Sequence, residues 1–172
     1  MSVAKTIVVD LGNVQQAIRE LREYKREFMR KVEALKTRIA EEIEAEAVKN
    51  FAAAVCNDIV GGGMRPASVS ISVVANENVT LIIASGADAV FCEFGAGITH
   101  NGPVGSSPHP KGLELGMTIG SYGKGMGKRK VWGYYSEEGL VLTRGTPATM
   151  PMYNAMQSVC QRFAEIAKEV FA

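Results

Sequence analysis

Apolar residues recur at helical spacing through the first third of the chain. The pattern is broken only where Lys25 occupies one position, and no Gly or Pro interrupts Val14 to Ile59. It therefore predicts one long amphipathic helix. We expect its apolar stripe to lie on a sheet. A coiled coil is the alternative, but the near-heptad run is only about four repeats long and has no consistent charge pairing at its flanks. The stripe consists of Leu11, Val14, Ile18, Leu21, Phe28, Val32, Leu35, Ile39 and Ile43.

Short β-branched and alternating segments predict strands on both sides of this helix. Thr6–Val9 suits a first, edge strand, and Gly61–Gly63 ends the helical region. Apolar residues then alternate with serine over 68–73, and after the turn residues Asn76–Asn78 the segment Val79–Ile83 returns. This second part predicts a β-hairpin with one dry face and one hydroxyl-rich face.

The last third predicts a second hairpin and a closing helix. Val131–Tyr135 and Leu140–Thr143 flank a turn at Gly139, and apolar residues share one helical face from about Met150 to Phe171. Residues 84–94 fit either a short helix capped at Ser85 or a continued strand. The order predicts an α+β fold in which an antiparallel sheet built from hairpins is packed by a long N-terminal helix and a C-terminal helix. We expect a single domain over residues 1–172, with a long mobile loop at about 98–130.

Composition narrows the classes of function. Of 172 residues, 47% are hydrophobic and 22% charged, and 19 Lys and Arg balance 18 Asp and Glu, so no global field favours nucleic acid or an anionic membrane. Cys56, Cys92 and Cys160 are odd in number and lie outside any CxxC pair, which favours reduced core residues of an intracellular protein. The first residues lack the features of a signal peptide, so we expect a protein made and used in cytoplasm or in a particle assembled there.

The glycine-rich segment does not match the known phosphate-binding motifs. A Walker loop needs GxxxxGK[ST], but Gly127–Lys128 is followed by Arg129, and Tyr122 stands where the first Gly belongs. The GxGxxG spacing fails as well. No cofactor is therefore expected. The glycines of this segment lie at 95, 97, 102, 105, 112, 116, 120, 123, 125 and 127.

Few residues have the spacing of a catalytic or metal site. Cys92, Glu93, His100 and His109 are near enough in sequence to form a zinc site, but no HExxH or paired CxxC frames them. A Cys92–His100 nucleophile pair is equally weakly indicated, because Cys92 lies in an apolar run. Loop histidines are usually polar surface residues, which is our interpretation of His100 and His109.

Glu93 is the one charged residue in the apolar run AVFCEFGAG. Two interpretations fit it. The carboxylate can face solvent from a strand, or it can pair with an Arg or cap backbone amides at a subunit contact. No second carboxylate or His lies at a fixed nearby spacing to make an acid–base pair, so no catalytic residue is expected.

Two short segments resemble a known protein family. Phe91–Gly97, FCEFGAG, is similar to the (V/Y)-x-E-F-G-(T/A)-G segment of the tail-completion or head-tail joining (neck) proteins of long-tailed bacteriophages and prophages. Gly145–Tyr153, GTPATMPMY, resembles the G-x-P-A-x-P-(F/M)-(M/Y) turn before the last helix of those proteins. The chain differs in Ala96, where Thr is commoner, and in one extra residue before Pro151. The order of elements also agrees over nearly the whole chain.

The resemblance implies a virion structural protein rather than an enzyme. Such a protein forms a ring, usually a homo-hexamer, between the head connector or adaptor and the tail tube, or terminates the tail, and is assembled in the bacterial host cytoplasm. The residues then expected at a subunit or partner interface are Glu93, Phe94, Gly95, Gly97, Pro147 and Pro151. The alternative function is a small enzyme or ligand-binding domain whose glycine-rich loop is a lid.

One stretch of the glycine-rich segment is locally basic. No acidic residue lies between Leu115 and Ser136, and the basic residues there are Lys124, Lys128, Arg129 and Lys130. In a ring around packaged DNA they can make phosphate contacts that do not depend on base sequence. A solvated loop, or one docked on an acidic protein surface, is the alternative.

Overall fold

The structure, a computed structural model, describes residues 12–58, 63–76, 79–97, 107–117, 131–137 and 139–172. The first element is helix α1, Val14–Ala53. The predicted strand Thr6–Val9 lies outside the described residues. Within the described part, no helix has both the length and the apolar composition to span a bilayer.

Helix α1 ends earlier than the apolar pattern predicts. Ala54 has extended φ and ψ angles of −76° and 140°, and strand β1 follows at Val55–Asp58. The prediction of helix up to Ile59 was therefore wrong over these residues. No Gly or Pro marks the end; Val55–Asp58 leaves the helix because it pairs antiparallel with strand β2, Gly63–Pro66, and its last two residues also pair with a later strand. Such long-range pairing overrides local helix preference.

The predicted hairpins form two separate sheets. Strands β3, Ser70–Ala75, and β4, Thr80–Ser85, make a two-stranded antiparallel sheet. The predicted dry face is confirmed, because Ile71 and Val73 are half-buried while Ser70 and Ser72 are exposed. The Asn76 side chain accepts a hydrogen bond from the Val79 amide at 2.7 Å and so fixes the turn.

Residues 84–94 combine the two forms that the sequence left open. Strand β4 continues to Ser85, and a short helix α2 then runs over Ala89–Phe94, with Asp88 rather than Ser85 at its N-cap. Strand β5, Ala96–Gly97, follows directly. Gly86 makes the connection possible: its φ is +140°, and a Cβ there would stand 2.2 Å from the Ser68 carbonyl oxygen.

The second hairpin completes the larger sheet, in which the described residues form five strands. Strand β6, Trp132–Ser136, pairs with β7, Gly139–Thr146, and β7 also pairs antiparallel with β1 and β5. Helix α3, Pro151–Phe171, ends the fold. The predicted α+β class is thus confirmed: a long N-terminal helix and a C-terminal helix accompany antiparallel hairpins.

The helices pack on each other more than on a sheet. Helix α3 runs antiparallel along α1, and the β3–β4 sheet packs near the C-terminal end of α1. A small core forms there from Phe51, Ala54, Cys56 and Cys92, with Ile71 against it. The expectation that the whole apolar stripe of α1 lies on a sheet was therefore wrong.

Candidate functional site

The Glu93 carboxylate lies at the N-terminus of α3. Its Oε2 accepts a hydrogen bond from the Met152 amide at 2.8 Å, and its Oε1 accepts one from the Tyr153 amide at 2.9 Å. The first helical residue, Pro151, has no N–H to satisfy, and the Asn154 amide already bonds to the carbonyl of residue 150. Glu93 therefore supplies the acceptors that the first turn of α3 lacks.

Helix α2 holds this carboxylate in place. Glu93 is only 8% exposed and stands near the C-terminal end of α2, which ends at Gly95. A buried carboxylate is costly unless hydrogen bonds and positive charge offset the lost hydration. Two backbone amides and the positive end of the α3 dipole provide that compensation, so Glu93 acts as a cap that comes from another part of the chain.

His109 completes the hydrogen bonds of the carboxylate. Its Nε2 lies 3.2 Å from Oε1 of Glu93, and its Nδ1 accepts a hydrogen bond from the Lys111 amide at 3.0 Å. Because Nδ1 accepts a hydrogen bond from the backbone, we assign the tautomer that carries its proton on Nε2, and this N–H donates a hydrogen bond to Glu93. The imidazole thus links Ser107–Met117 to α2 and α3.

Aromatic rings enclose the imidazole. The ring of Phe94 lies 4.6 Å from that of His109 between centroids, and Tyr153 lies edge-on at 5.1 Å. The Ser107 hydroxyl donates to the Phe94 carbonyl at 2.5 Å and accepts from the His109 amide at 3.2 Å. These contacts leave His109 only 7% exposed.

The turn before α3 packs directly on the end of α2. The Cys92 carbonyl accepts hydrogen bonds from the amides of Thr149, at 2.9 Å, and Met150, at 3.2 Å. Met150 has left-handed φ and ψ angles of 52° and 52°, which are uncommon for a residue with a side chain. Gly95 has a φ of +81°, and a Cβ on it would stand 3.2 Å from the Ala148 Cβ. A side chain at position 95 would thus obstruct both the sharp turn and the close packing on Ala148.

A second buried carboxylate lies at the other end of α2. Asp88 makes a bidentate ion pair with Arg65, at 2.6 and 3.0 Å. Its Oδ2 also accepts a hydrogen bond from the Ser68 backbone amide at 2.8 Å. Burial raises the pKa of Asp88, but the bonds from Arg65 and Ser68 outweigh burial and hold the pKa below its ordinary value. This cluster joins β2, the chain before β3, and α2.

Two thiols lie beside this cluster. Cys56 and Cys92 are buried, and the pKa of Cys92 is raised by its hydrogen bond with Cys56 and by burial. A thiol in that state is a poor nucleophile. Cys160, by contrast, is exposed on α3, so the expectation that all three cysteines are core residues was wrong for Cys160.

The Glu93–His109 pair has the composition of an acid–base pair but not its accessibility. Each carboxylate oxygen and each ring nitrogen already has a partner within the chain, and both residues are buried. The arrangement holds three segments together. Among the described residues, no group of three His, Cys, Asp or Glu is placed to hold a metal ion. His100, the remaining residue of the candidate zinc set, lies outside them.

The structure corrects two interpretations drawn from the sequence. Glu93 is not a solvent-facing strand residue: it is buried in a helix, and the backbone amides that it caps belong to its own chain. His109 is not a polar surface residue. Glu93 carried a signal, as the lone charge in an apolar run. His109 carried none, because nothing local distinguishes it from His100.

The six residues expected at an interface fall within one packed unit. Glu93, Gly95 and Pro151 are buried, and Phe94 and Pro147 are half-buried. Gly97 pairs with Gly145, at the junction of β5 and β7. The contacts described here for all six lie within the chain. The four residues expected to contact DNA, Lys124, Lys128, Arg129 and Lys130, lie outside the described residues, as do residues 98–106 and 118–130 of the predicted mobile loop.

Comparison with family models, with curated proteins and with solved structures gave no match for this chain.

Proposed function

We propose that this protein is a non-enzymatic virion subunit of the neck or tail of a long-tailed phage or prophage. In this proposal it forms a ring, most simply of six copies, that joins the head connector or adaptor to the tail tube or terminates the tail. It needs no cofactor. Its partners are other copies of itself and the neighbouring virion proteins, and the basic stretch Lys124–Lys130 contacts packaged DNA without sequence preference.

The observation that supports this proposal is the meeting of the two segments that carry the resemblance. FCEFGAG and GTPATMPMY lie about fifty residues apart, yet Glu93 of the first caps the helix that the second begins. Gly95 of the first packs on Ala148 of the second. The likeness therefore concerns one tertiary unit in which the residues depend on each other, which is more specific than two independent turns.

The environment of Glu93 and His109 favours this function over the enzyme with a lid. An acid–base pair must reach a substrate proton. Here the carboxylate bonds to Met152, Tyr153 and His109, and the imidazole lies between Phe94 and Tyr153. The contacts of Glu93 and His109 hold the turn before α3 in place, and a ring subunit requires such a fixed turn.

Exposed apolar side chains suit an assembling protein. Leu113 is 85% exposed and Leu115 53%, both in the segment that His109 anchors, and Tyr135 on β6 is 85% exposed. In assembling proteins, subunit contacts commonly cover such residues. We expect these side chains to lie in the ring interface or against the tail tube.

The test is a deletion in the organism that carries the gene. After induction of phage-like particles, electron microscopy of the deletion strain should show separate heads and unjoined or overlong tails, and the wild-type gene supplied in trans should restore joined particles. Antibody labelling should place the protein at the neck or the tail end. Normal particles without this chain, or a single copy per particle, would overturn the proposal.

A further inference from the structure

Helix α1 extends well beyond the helix that covers it. Three contacts join the two helices. The side-chain amide of Asn50 donates a hydrogen bond to the Pro151 carbonyl at 3.0 Å, and Arg162 forms an ion pair with Glu42 at 3.1 Å. The Lys31 ammonium donates a hydrogen bond to the Phe171 carbonyl at 3.2 Å. These contacts place the C-terminal end of α3 beside residues 28–31 of α1. The preceding part, Val14–Phe28, is here named the arm; it continues for about 20 Å past most of α3, at 1.5 Å per residue.

The arm carries the same apolar stripe as the covered part of α1. Val14, Leu21 and Phe28 are seven residues apart, and they are 39%, 52% and 41% exposed. The Phe28 ring lies 5.7 Å from the Phe171 ring between centroids, so α3 reaches the arm only at its last residue. Ala40 and Ala47, farther along the same helix where α3 packs, are 5% and 0% exposed. Ala17 is buried, so the arm is covered only in part. A stripe at near-heptad spacing is what one helix presents to another.

Charge is unevenly distributed along α1. Between Val14 and Lys31, basic residues exceed acidic ones: Arg19, Arg22, Lys25, Arg26, Arg30 and Lys31 stand against Glu20, Glu23 and Glu27. Between Val32 and Ala53 the balance reverses, with Glu33, Glu41, Glu42, Glu44 and Glu46 against Lys36, Arg38 and Lys49. Glu42 and Glu46 pair with Arg162 of α3 in the same chain, so Glu41 and Glu44 are the acidic residues that the basic part of another α1 would meet. Two arms side by side would repel.

The acidic part of α1 also has a free surface. Glu41, Ala45, Val48 and Ala52 share one helical face and are exposed, with Val48 at 51%. This face lies about a third of a turn around the helix from Ala40, Ala47 and Phe51, which are buried by the rest of the fold. We refer to these four residues as the acceptor face.

We propose that the arm is a docking surface for a second copy of this chain and that it lies on the acceptor face of that copy. Leu21 and Val14 pack against Val48 and the alanines, while Lys25 and Arg22 lie near Glu41 and Glu44. The contact joins two different surfaces, so it is either exchanged within a pair or repeated around a ring. It does not depend on the proposed neck or tail function.

The test measures self-association of the full chain by analytical ultracentrifugation. The wild type should associate reversibly, and Leu21→Ser should weaken association about tenfold or more, the usual effect of losing an interface anchor. Leu81→Ser is the control, because Leu81 lies on strand β4, outside the arm and the acceptor face, and is 49% exposed, close to the 52% of Leu21. Circular dichroism melts should confirm that both variants remain folded.

A charge exchange tests the partner surface. Arg22→Glu with Lys25→Glu should weaken association, and so should Glu41→Lys with Glu44→Lys, whereas a mixture of these two variants should associate better than either variant does by itself. Raising the salt concentration should weaken the wild-type contact. A wild type that stays monomeric at about 500 µM, where contacts of millimolar Kd become visible, would overturn the proposal.

Two other results would also overturn it. If deletion of residues 1–11 increases association while Leu21→Ser leaves the wild type unchanged, the first residues of the same chain cover the arm. If neither charge reversal has an effect, or the mixture gives no recovery, the partner surface is not the acceptor face. Neither result bears on the neck or tail function, whose ring can close through other contacts.

Discussion

The unit around Glu93 and the arm of α1 differ in how completely one chain satisfies them. At Glu93, the carboxylate, two amides of α3 and the His109 imidazole all have hydrogen-bond partners within the chain. Glu93 and His109 are each less than 10% exposed. On the arm, Leu21 and Phe28 are 52% and 41% exposed. A buried polar group must be paired inside the subunit, because leaving it unpaired costs free energy of folding. An exposed apolar stripe, by contrast, can stay uncovered until a partner binds. Substitution at the first region should thus affect folding, and at the second, association.

Glu93→Ala is expected to have the largest effect on stability. It leaves the buried amides of Met152 and Tyr153 without acceptors, each at a cost of about 1 to 3 kcal/mol, so the free energy of unfolding should fall by about 3 kcal/mol. Glu93→Gln keeps one acceptor oxygen and should lose less. Urea unfolding of both variants, with exposed Glu169→Ala as the control, measures this. A loss below about 0.5 kcal/mol would mean that the cap does not stabilise the fold.

His109→Ala should rank second, with a loss of about 2 kcal/mol, because it removes a buried ring and leaves the Lys111 amide and one Glu93 bond unpaired. In the double variant with Glu93→Ala, the two losses should not add, since the residues share a hydrogen bond. Nitrogen NMR of the wild type should find the proton of the neutral ring on Nε2. A proton on Nδ1 would contradict the arrangement described here.

Asp88 should make the free energy of unfolding depend on pH in the acid range. Its pKa in the folded protein lies below the ordinary value of 3.8, so its ionised form adds stability that is fully present above that pH. This stability is lost as the pH falls from 3.8 through the lower pKa of the folded state. Asp88→Asn should cost about 2 kcal/mol at neutral pH, the usual contribution of hydrogen bonds to a charged group, because the Arg65 side chain is partly exposed. Unfolding measured from pH 6 to pH 2 should show a smaller change for the variant; an equal change would assign the acid dependence to other carboxylates.

Gly95→Ala compared with Gly139→Ala separates close packing from backbone strain. Both glycines have positive φ angles, +81° and +118°, but a Cβ at Gly95 meets Ala148 at 3.2 Å, whereas at Gly139 nothing lies within 4 Å. Each variant should lose about 1 kcal/mol from the left-handed backbone, and Gly95→Ala somewhat more from the contact. Thermal unfolding of the two is the measurement, and equal losses would show that Ala148 moves aside.

Leu21→Ser should have the smallest effect on the stability of the isolated chain. An exposed side chain with no buried contact usually changes the unfolding free energy by less than about 0.5 kcal/mol. Dilute protein should therefore unfold like the wild type, even though association at high concentration is weakened. A loss of more than about 1 kcal/mol in dilute protein would place Leu21 in the core of the subunit and remove the contrast with Glu93.

The sequence by itself predicted the two long helices and both hairpins, and it indicated the two segments that form the unit around Glu93. Periodicity located α1, α3 and both hairpins, since burial of one face imposes a period on the residues that form it. The lone charge in AVFCEFGAG and the Gly and Pro residues of GTPATMPMY indicated two special places in the chain. In the structure these two segments pack against each other.

Only the tertiary structure decided what each of these features contacts. Strand pairing ended α1 at Ala53, and the fold brought His109, which no local pattern distinguishes, to the Glu93 carboxylate. It also half-buried the apolar stripe of α1 at Ile39 and Ile43 and left it exposed at Leu21, although the spacing is the same in both parts. Periodicity records that a face is apolar. What covers that face depends on residues far away in the chain, or in another copy of it.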